Sequence, residues 1–156
     1  MLKALLTPFI FIFHMLVRIK NWVYHFGILK PYKIDVPVIS VGNIAFGGTG
    51  KTPMVIEICN QLKSKGYKPA VISRGYKRKS SGLIVVHDGQ NTHCKVHDAG
   101  DEPFLIAKKL GNVPVVVAKK RKEAADYILK MFGDVNVIVL DDGFQHRKLY
   151  RDIDVV

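Results

Sequence analysis

Short apolar runs alternate along this chain with segments whose apolar residues recur every three or four positions. Runs rich in Val and Ile predict buried strands, and the three-to-four spacing predicts helices packed on a sheet. The predicted strands are residues 36–41, 68–73, 83–87, 112–118, 135–140 and 153–156, and the predicted helices are residues 52–65, 104–110 and 119–132. This alternation predicts an α/β fold with a right-handed, mostly parallel sheet flanked by helices.

The first 17 residues are nearly all apolar and are followed by the basic, aromatic segment 18–24. The run is shorter than the roughly 20 residues that a spanning helix needs, and no small-x-small cleavage site of a signal peptide follows it. We therefore expect an interfacial helix that lies on an anionic membrane surface. The alternative is a helix docked on the core of the domain.

Two domains follow from this pattern. Residues 1–33 are expected to form a membrane-associated helix and a basic linker, and residues 34–156 a nucleotide-binding domain. Because the chain stops within its last predicted strand, we expect this domain to be incomplete at its carboxyl end.

The stretch 36–53 has the order of parts of a phosphate-binding P-loop: a β-branched strand, a glycine-rich turn, and Lys51-Thr52 at the start of a helix. The glycines allow several N–H groups to point into one concavity, and the helix N-terminus adds partial positive charge. Lys51 would reach the outer phosphates of ATP, and the Thr52 hydroxyl would ligate Mg²⁺. Ala45 stands where the common motif has its first glycine.

An acidic pair, Asp141 and Asp142, follows the buried run 135–140. A carboxylate at a strand tip level with a P-loop is the Walker B arrangement, which holds Mg²⁺ directly or through water. The two motifs together predict a P-loop NTPase-like sheet.

Other candidate residues lie near the ends of predicted strands. Arg74 and Tyr76 follow the strand 68–73, at the edge where open α/β sheets bind ligands, although their loop could also be a solvated turn. Asp101 precedes a predicted helix, and capping of that helix is its simplest role. A turn at residues 88–91 predicts a hairpin whose second strand is residues 92–96.

The amino-acid composition restricts the classes of binding partner that are expected. The formal net charge of +11 predicts attraction to anions such as nucleotides, acidic lipids or phosphorylated substrates. No nucleic-acid partner is expected, because no recognition helix or aromatic-basic RNA motif occurs. Cys59 fits a small core residue. His93, Cys94 and His97 are weak candidates for a metal site, the alternative being exposed strand residues.

The motifs PVISVGN, GGTGKTP, SRGY, GDEP and LDDGFQHR occur in this order. Together they resemble the tetraacyldisaccharide 4'-kinase family of lipid A biosynthesis, roughly over the first half of such an enzyme. The resemblance implies ATP-dependent phosphorylation of the 4' hydroxyl of an acylated glucosamine disaccharide 1-phosphate at the cytoplasmic face of the bacterial inner membrane.

The resemblance also implies roles for individual residues. Asp101 matches the proposed catalytic aspartate, which would orient or deprotonate the sugar hydroxyl directly or through a histidine from the family's second half. Lys51 and Asp142 would complete the catalytic set. The ATP-binding residues would be Gly47, Gly48, Thr49, Gly50, Lys51, Thr52 and Tyr76; the Mg²⁺ ligands Thr52, Asp141 and Asp142; and the substrate residues Arg74, Arg121, Gln145 and His146.

Three alternatives remain at this point. A P-loop GTPase is disfavoured because its guanine-reading Asn-Lys-x-Asp motif is absent, and a partitioning ATPase is disfavoured because Phe46 stands where its signature lysine belongs. A membrane-attached chain that binds nucleotide without turnover is the third.

Overall fold

The computed structural model describes residues 15, 18, 22, 30–43, 50–143 and 148–156. It separates into two compact units, residues 1–31 and 32–156. In the first unit, Met15, Arg18 and Trp22 are helical and exposed, and the rest of the predicted interfacial helix lies outside the described residues. Among the residues described, no helix is both long enough and apolar enough to cross a membrane.

The second unit alternates strands and helices, as the sequence pattern predicts. The strands are β1 (Val38–Val41), β2 (Pro69–Ser73), β3 (Ile84–Asp88), β4 (Pro114–Val117), β5 (Val137–Asp141) and β6 (Ile153–Val155). The helices are α1 (Lys51–Ser64), α2 (Val96–Ala99), α3 (Asp101–Leu110) and α4 (Arg121–Met131).

The six strands form one sheet in the order β3-β4-β2-β5-β1-β6. All neighbouring pairs are parallel except β3 and β4, which are antiparallel. This arrangement confirms the prediction of a mostly parallel α/β sheet. The carboxyl ends of the five parallel strands therefore lie along one edge, which we call the carboxyl edge.

Side chains alternate between two apolar layers along each central strand, because successive residues of a strand point to opposite faces. On one face Ile72 and Leu140 pack with Ile128 of α4. On the other face Val71 packs with Cys59 of α1 and helix α3. Cys59 is fully buried, as expected for a small core residue. Both faces are covered, which explains the nearly continuous apolar strands.

The predicted second hairpin strand, residues 92–96, is wrong. Only one antiparallel bridge, His87 to Thr92, forms there, and the chain then enters the short helix α2. The Asp98 side chain accepts a hydrogen bond from the Lys95 backbone N–H at 3.3 Å and so favours helix over extension. β3 pairs with β4 instead.

Candidate active site

Lys51 joins three elements at the carboxyl edge. It is the first residue of α1, preceded by Gly50 with φ of +76°, a left-handed conformation that glycine adopts without strain. Its ammonium group donates to Asn43 Oδ1 at 3.0 Å and lies 3.2 Å from Asp142 Oδ1. Asn43 lies just beyond β1 and Asp142 just beyond β5. The lysine of the predicted P-loop and the predicted Walker B carboxylate are therefore in contact.

The remaining P-loop residues are only partly described. Gly47, Gly48 and Thr49 lie outside the described residues. Thr52 is half-buried in the first turn of α1, next to Lys51. The described part of the loop thus positions a cation and a hydroxyl at the start of one helix.

Asp141 ends β5 and is 99% buried, with an exposed fraction of 1%. Its Oδ2 accepts a hydrogen bond of 2.7 Å from the Ser73 hydroxyl of β2. Its Oδ1 has no hydrogen-bond partner among the described residues. Burial raises the pKa of this carboxyl to about 6, a shift that the Ser73 hydrogen bond opposes and that the charges of Glu102 and Asp142 add to. A cation beside Oδ1 would therefore stabilise the charged form of this carboxylate.

The turn after β5 is strained and closely packed. Asp142 has φ of +54°, which is uncommon for a residue other than glycine. A Cβ at Gly143 would lie 2.7 Å from Ser40 Oγ and from Leu140 Cβ, so only glycine fits there without movement. The Gly143 N–H donates to the Val41 carbonyl at 3.1 Å. These contacts hold the Asp142 carboxylate beside Lys51, consistent with backbone strain at a functional site.

Arg121 is buried rather than open to a substrate. It begins α4, is 2% exposed, and donates from Nη1 to the Ala118 carbonyl at 2.6 Å. Burial lowers its pKa to about 10, and the negative charge of Asp141 opposes this shift. The guanidinium therefore stays charged at neutral pH. It adds positive potential near Asp141 without an ion pair between them among the contacts described.

Asp101 is the first residue of α3 and is exposed. The residue that caps this helix is Gly100, and no side chain makes a capping hydrogen bond there. Capping is therefore not what Asp101 does in this structure, although its charge still favours the helix N-terminus. The negative charge of the adjacent Glu102 adds to the raised pKa of Asp141. The start of α3 lies at the carboxyl edge because Gly100 packs against the Tyr76 backbone, which follows β2.

Two glycines set the close approach between the loop after β2 and the start of α3. A Cβ at Gly75 would lie 2.7 Å from the Ala99 carbonyl oxygen and would also collide with the Val117 side chain. A Cβ at Gly100 would lie 3.0 Å from the Tyr76 carbonyl oxygen. Both glycines have positive φ, +68° and +94°. The backbone around Tyr76 therefore rests directly on the turn that leads into Asp101.

The other predicted site residues differ in how far the structure describes them. Arg74 and Tyr76 follow β2 at the carboxyl edge, and Tyr76 is 69% exposed. Gln145 and His146 lie outside the described residues. The edge therefore brings Lys51, Asp141 and Asp142 together and leaves Arg74 and Tyr76 accessible beside them.

The candidate metal site at His93, Cys94 and His97 is not supported. His93 lies 2.6 Å from the Asp88 carboxylate, and His97 lies 3.2 Å from that of Asp98. Within the part of the chain that the structure describes, no three His, Cys, Asp or Glu side chains are grouped to hold a metal. The two histidines instead make separate local pairs.

Asn43 and Ser73 were not predicted to take part in the site. Each is a polar residue within or just after an otherwise apolar strand, which is the only local signal. Their role depends on which strands are neighbours: β2 lies beside β5, and β5 lies beside β1. The sequence pattern does not specify this order.

Comparisons with known proteins identify the family of this chain. A sequence model of the family described as Tetraacyldisaccharide-1-P 4'-kinase matches residues 2–156. A tetraacyldisaccharide 4'-kinase of Psychromonas ingrahamii is 50% identical over 153 residues, covering 97% of this chain and 46% of the relative. Its counterpart from Chlorobium limicola is 43% identical, covering 99% of this chain and 45% of the relative.

A solved structure is also similar: the "apo" form of LpxK from Aquifex aeolicus in complex with ATP. It superposes with a TM-score of 0.88 at 42% identity, covering 99% of this chain and 48% of that chain. The chain thus spans about half the length of the curated relatives it matches. On these grounds the chain belongs to the tetraacyldisaccharide-1-P 4'-kinase family.

Proposed function

We propose that this chain forms the ATP-binding part of a lipid kinase. The enzyme transfers the γ-phosphate of ATP to the 4' hydroxyl of a tetraacyl disaccharide 1-phosphate in lipid A biosynthesis. The observation that carries the proposal is the 3.2 Å approach of Lys51 Nζ to Asp142 Oδ1 at the carboxyl edge of a parallel sheet. The identity of the acceptor is proposed from membership of the family.

ATP is held by the P-loop and by the start of α1. Gly47, Gly48, Thr49, Gly50 and Lys51 surround the phosphates, and Tyr76 contacts the nucleotide. Lys51 exchanges its present partners, Asn43 and Asp142, for phosphate oxygens when ATP binds. Its positive charge then offsets the charge that develops on the transferred phosphoryl group.

The residues at this edge fit Mg²⁺. Asp141 Oδ1 is buried without a hydrogen-bond partner among the described residues, and Asp142 and Thr52 supply further oxygen donors. Mg²⁺ commonly uses one or two carboxylates together with nucleotide phosphates, so a cluster of three acidic side chains is not required. Bound there, the ion would neutralise charge on the β- and γ-phosphates.

The transfer itself forms a bond between the 4' oxygen and the γ-phosphorus and breaks the bond from that phosphorus to the β–γ bridging oxygen. ADP leaves, and the hydroxyl proton passes to Asp101 or to a histidine that Asp101 polarises. Arg74, Gln145 and His146 line the acceptor side. Arg121 contributes through its buried charge near Asp141, since its guanidinium is 2% exposed.

The proposed location is the cytoplasmic face of the bacterial inner membrane, where an acylated acceptor resides. An interfacial helix within residues 1–17 would bring the enzyme to this acceptor. The support is the apolar run followed by the basic segment 18–24.

A transfer assay tests the proposal. Labelled ATP and Mg²⁺ are incubated with the tetraacyl disaccharide 1-phosphate, once with residues 1–156 and once with a chain of the length of the relatives. A labelled lipid product from the longer chain that disappears without Mg²⁺ supports the kinase. Its absence from an otherwise folded longer chain contradicts it. ATP binding without product from residues 1–156 alone favours the second candidate, a nucleotide-binding part without turnover.

A further inference from the structure

Two loops at the carboxyl edge carry cations and no acidic residue. Residues 74–79 follow directly after β2. Residues 119–122 follow β4 after one intervening residue, Ala118. The two strands are neighbours in the sheet, and the Ala118 N–H donates to the Ser73 carbonyl at 3.1 Å. The loops therefore form one surface, which we call the basic rim. Its cations are Arg74, Lys77, Arg78, Lys79, Lys119, Lys120, Arg121 and Lys122.

Seven of the eight cations of the basic rim fall into two groups, and the eighth, Arg74, is the residue that we assign to the acceptor. Arg78 and Arg121 donate to the carbonyl groups of Val117 and Ala118, so they serve the local fold. Lys120 pairs with Glu123 at 2.7 Å, and Lys122 lies over the Tyr32 ring. By contrast, Lys77, Lys79 and Lys119 are exposed, and none of the three pairs with an acidic side chain among the described residues. These three charges are available to a partner.

The loop that carries Lys77 and Lys79 is fixed to its surroundings. The Lys79 N–H donates to the His97 carbonyl at 3.0 Å, and the Ser80 hydroxyl donates to the Asp98 carbonyl. Arg78 reaches Val117 across the sheet, and Gly75 packs against the same residue. Charges on a fixed loop lose less conformational entropy on binding than charges on a flexible one.

An exposed aromatic side chain stands among these cations. Tyr76 is 69% exposed, and Lys77 Nζ lies 5.5 Å from the centre of its ring. Tyr76 is the residue that we assign to the nucleotide, so these cations lie directly beside the proposed nucleotide site. The same loop lies at the sheet edge that carries Lys51 and Asp142.

We propose that the basic rim docks on an anionic lipid bilayer and turns the carboxyl edge toward the membrane. The inference rests on the proposed function, because an acceptor with four acyl chains stays in the bilayer and the phosphoryl-transfer edge must face it. Negative lipid headgroups complement Lys77, Lys79 and Lys119, which pair with no acidic side chain among the described residues.

Vesicle binding by the full chain tests this orientation. One variant replaces Lys77, Lys79 and Lys119 with Gln. The matched control replaces Lys65, Lys109 and Lys130, which are also exposed but lie in or just after the last turns of α1, α3 and α4, at the opposite edge. Both lose three charges and keep residues 1–31. The probe is a set of vesicles of phosphatidylcholine, with and without phosphatidylglycerol.

The rim variant is expected to bind phosphatidylglycerol vesicles at least tenfold more weakly than the control variant, since each lysine near such a surface contributes roughly fivefold. Binding to pure phosphatidylcholine stays equal for the two variants. Equal losses on the anionic vesicles would show that only the total charge matters and would overturn the proposal. Equal thermal midpoints of both variants verify that each is folded.

A fluorescent label gives the orientation directly. In a Cys94→Ser background, where the remaining Cys59 is buried, an environment-sensitive dye is attached at Lys79→Cys or at Lys130→Cys. Anionic vesicles are expected to shift the emission to the blue at position 79 and leave it unchanged at position 130. A larger shift at position 130 would place the wrong edge on the membrane.

Nucleic acid is the competing polyanion. If the rim variant lost affinity for a single-stranded oligonucleotide while its affinity for vesicles matched that of the control, the membrane proposal would be wrong. The vesicle and dye measurements contain neither ATP nor the acceptor. Failure of the kinase proposal therefore shows in the transfer assay, and failure of the docking proposal shows here.

Discussion

The carboxyl edge and the amino edge of the sheet differ in whether their polar atoms have hydrogen-bond partners. Four buried side-chain atoms have no hydrogen-bond partner among the described residues, and all four belong to residues at the carboxyl edge: Ser40 Oγ, Arg78 Nε, Arg121 Nε and Asp141 Oδ1. Buried polar groups usually find partners, so such a concentration asks for an explanation. A ligand that brings phosphate oxygens and a cation would supply it.

The amino edge is polar as well, but none of the buried unpartnered atoms among the described residues lies there. A groove of about 820 Å³ opens there, lined among others by residues 66–69, 88–90 and 133–135. Lys68 lies 3.0 Å from Asp134, and the Lys68 N–H donates to Asn136 Oδ1 at 2.8 Å. The difference fits a ligand at the carboxyl edge and local side-chain pairing at the amino edge. Changes at the two edges should therefore affect different measurements.

The largest expected effect is on folding, at Gly75. Gly75→Ala forces a side chain against Val117 and Ala99 at φ of +68° and should lower the free energy of unfolding by about 4 kcal/mol, as left-handed strain and overpacking add. Gly82→Ala is the control: it has φ of +73° but no atom within 4 Å of the new Cβ, and should cost about 1 kcal/mol. Urea unfolding measures both. Equal losses would mean that the loop does not press on the start of α3.

Lys51→Ala should weaken ATP binding about 100-fold, because a charged hydrogen-bonding partner of the phosphates is lost. Lys68→Ala removes the same charge at the amino edge and should leave ATP affinity within about twofold. Calorimetric titration with ATP and Mg²⁺ measures the two constants. If Lys68→Ala weakened binding as much as Lys51→Ala, the assignment of ATP to the carboxyl edge would be lost.

Asp141→Asn should stabilise the fold at neutral pH. The pKa of Asp141 is raised from 3.8 to about 6 by burial, so the native state loses stability as the pH rises through this range. The asparagine has no charge to bury, and its advantage should grow from near zero at pH 4 to at most about 3 kcal/mol at pH 8. Unfolding in urea at both pH values checks this.

Asp134→Asn is the control, because the pH dependence of its effect on stability should have the opposite sign. Lys68 lowers the pKa of Asp134, so that carboxylate adds stability at neutral pH that is lost on acidification. Its replacement should therefore destabilise slightly at pH 8 and less at pH 4. An Asp141→Asn variant with the same pH dependence as Asp134→Asn would contradict the burial of an unsatisfied charge.

The smallest effect is expected for the ion pair of the amino edge. Lys68 and Asp134 are 59% and 67% exposed, so solvent and salt screen them. Lys68→Ala should cost less than about 1 kcal/mol, and the loss should shrink in high salt. A larger, salt-independent loss would show that the amino edge depends on this pair more than its exposure suggests.

Local patterns predicted most of the fold, because each element follows its own apolar period. The strand 135–140 and the helix 52–65 correspond to β5 and α1 within a few residues. The segment 92–96 failed because Asp98 pairs with the Lys95 backbone and starts a helix in a stretch that alternation favours as a strand. That competition is decided by one side chain, which an apolar pattern does not report.

The candidate site was predictable where a sequence motif specifies the residues. It was not predictable where the residues come together only through the order of strands in the sheet. Lys51 and Asp142 are motif residues, and they lie in contact. Ser73 bonds Asp141 only because β2 and β5 are neighbours, although 68 residues separate the two. Arg121 was expected to contact the substrate, and it is buried because α4 begins close to the end of β4. Its depth depends on tertiary packing that the sequence pattern does not specify.

The position of β1 has a consequence for the order of folding. Although it is the first of the described strands, its two neighbours are the last two described, and Val38 pairs with Ile138 a hundred residues later. Contacts of such long sequence separation form slowly, since a large loop must close first. During synthesis both edges of β1 therefore stay unpaired until β5 and β6 have left the ribosome. The Lys51–Asp142 contact needs β1 and β5 to be in place, so nucleotide binding would report that β1 has joined the sheet.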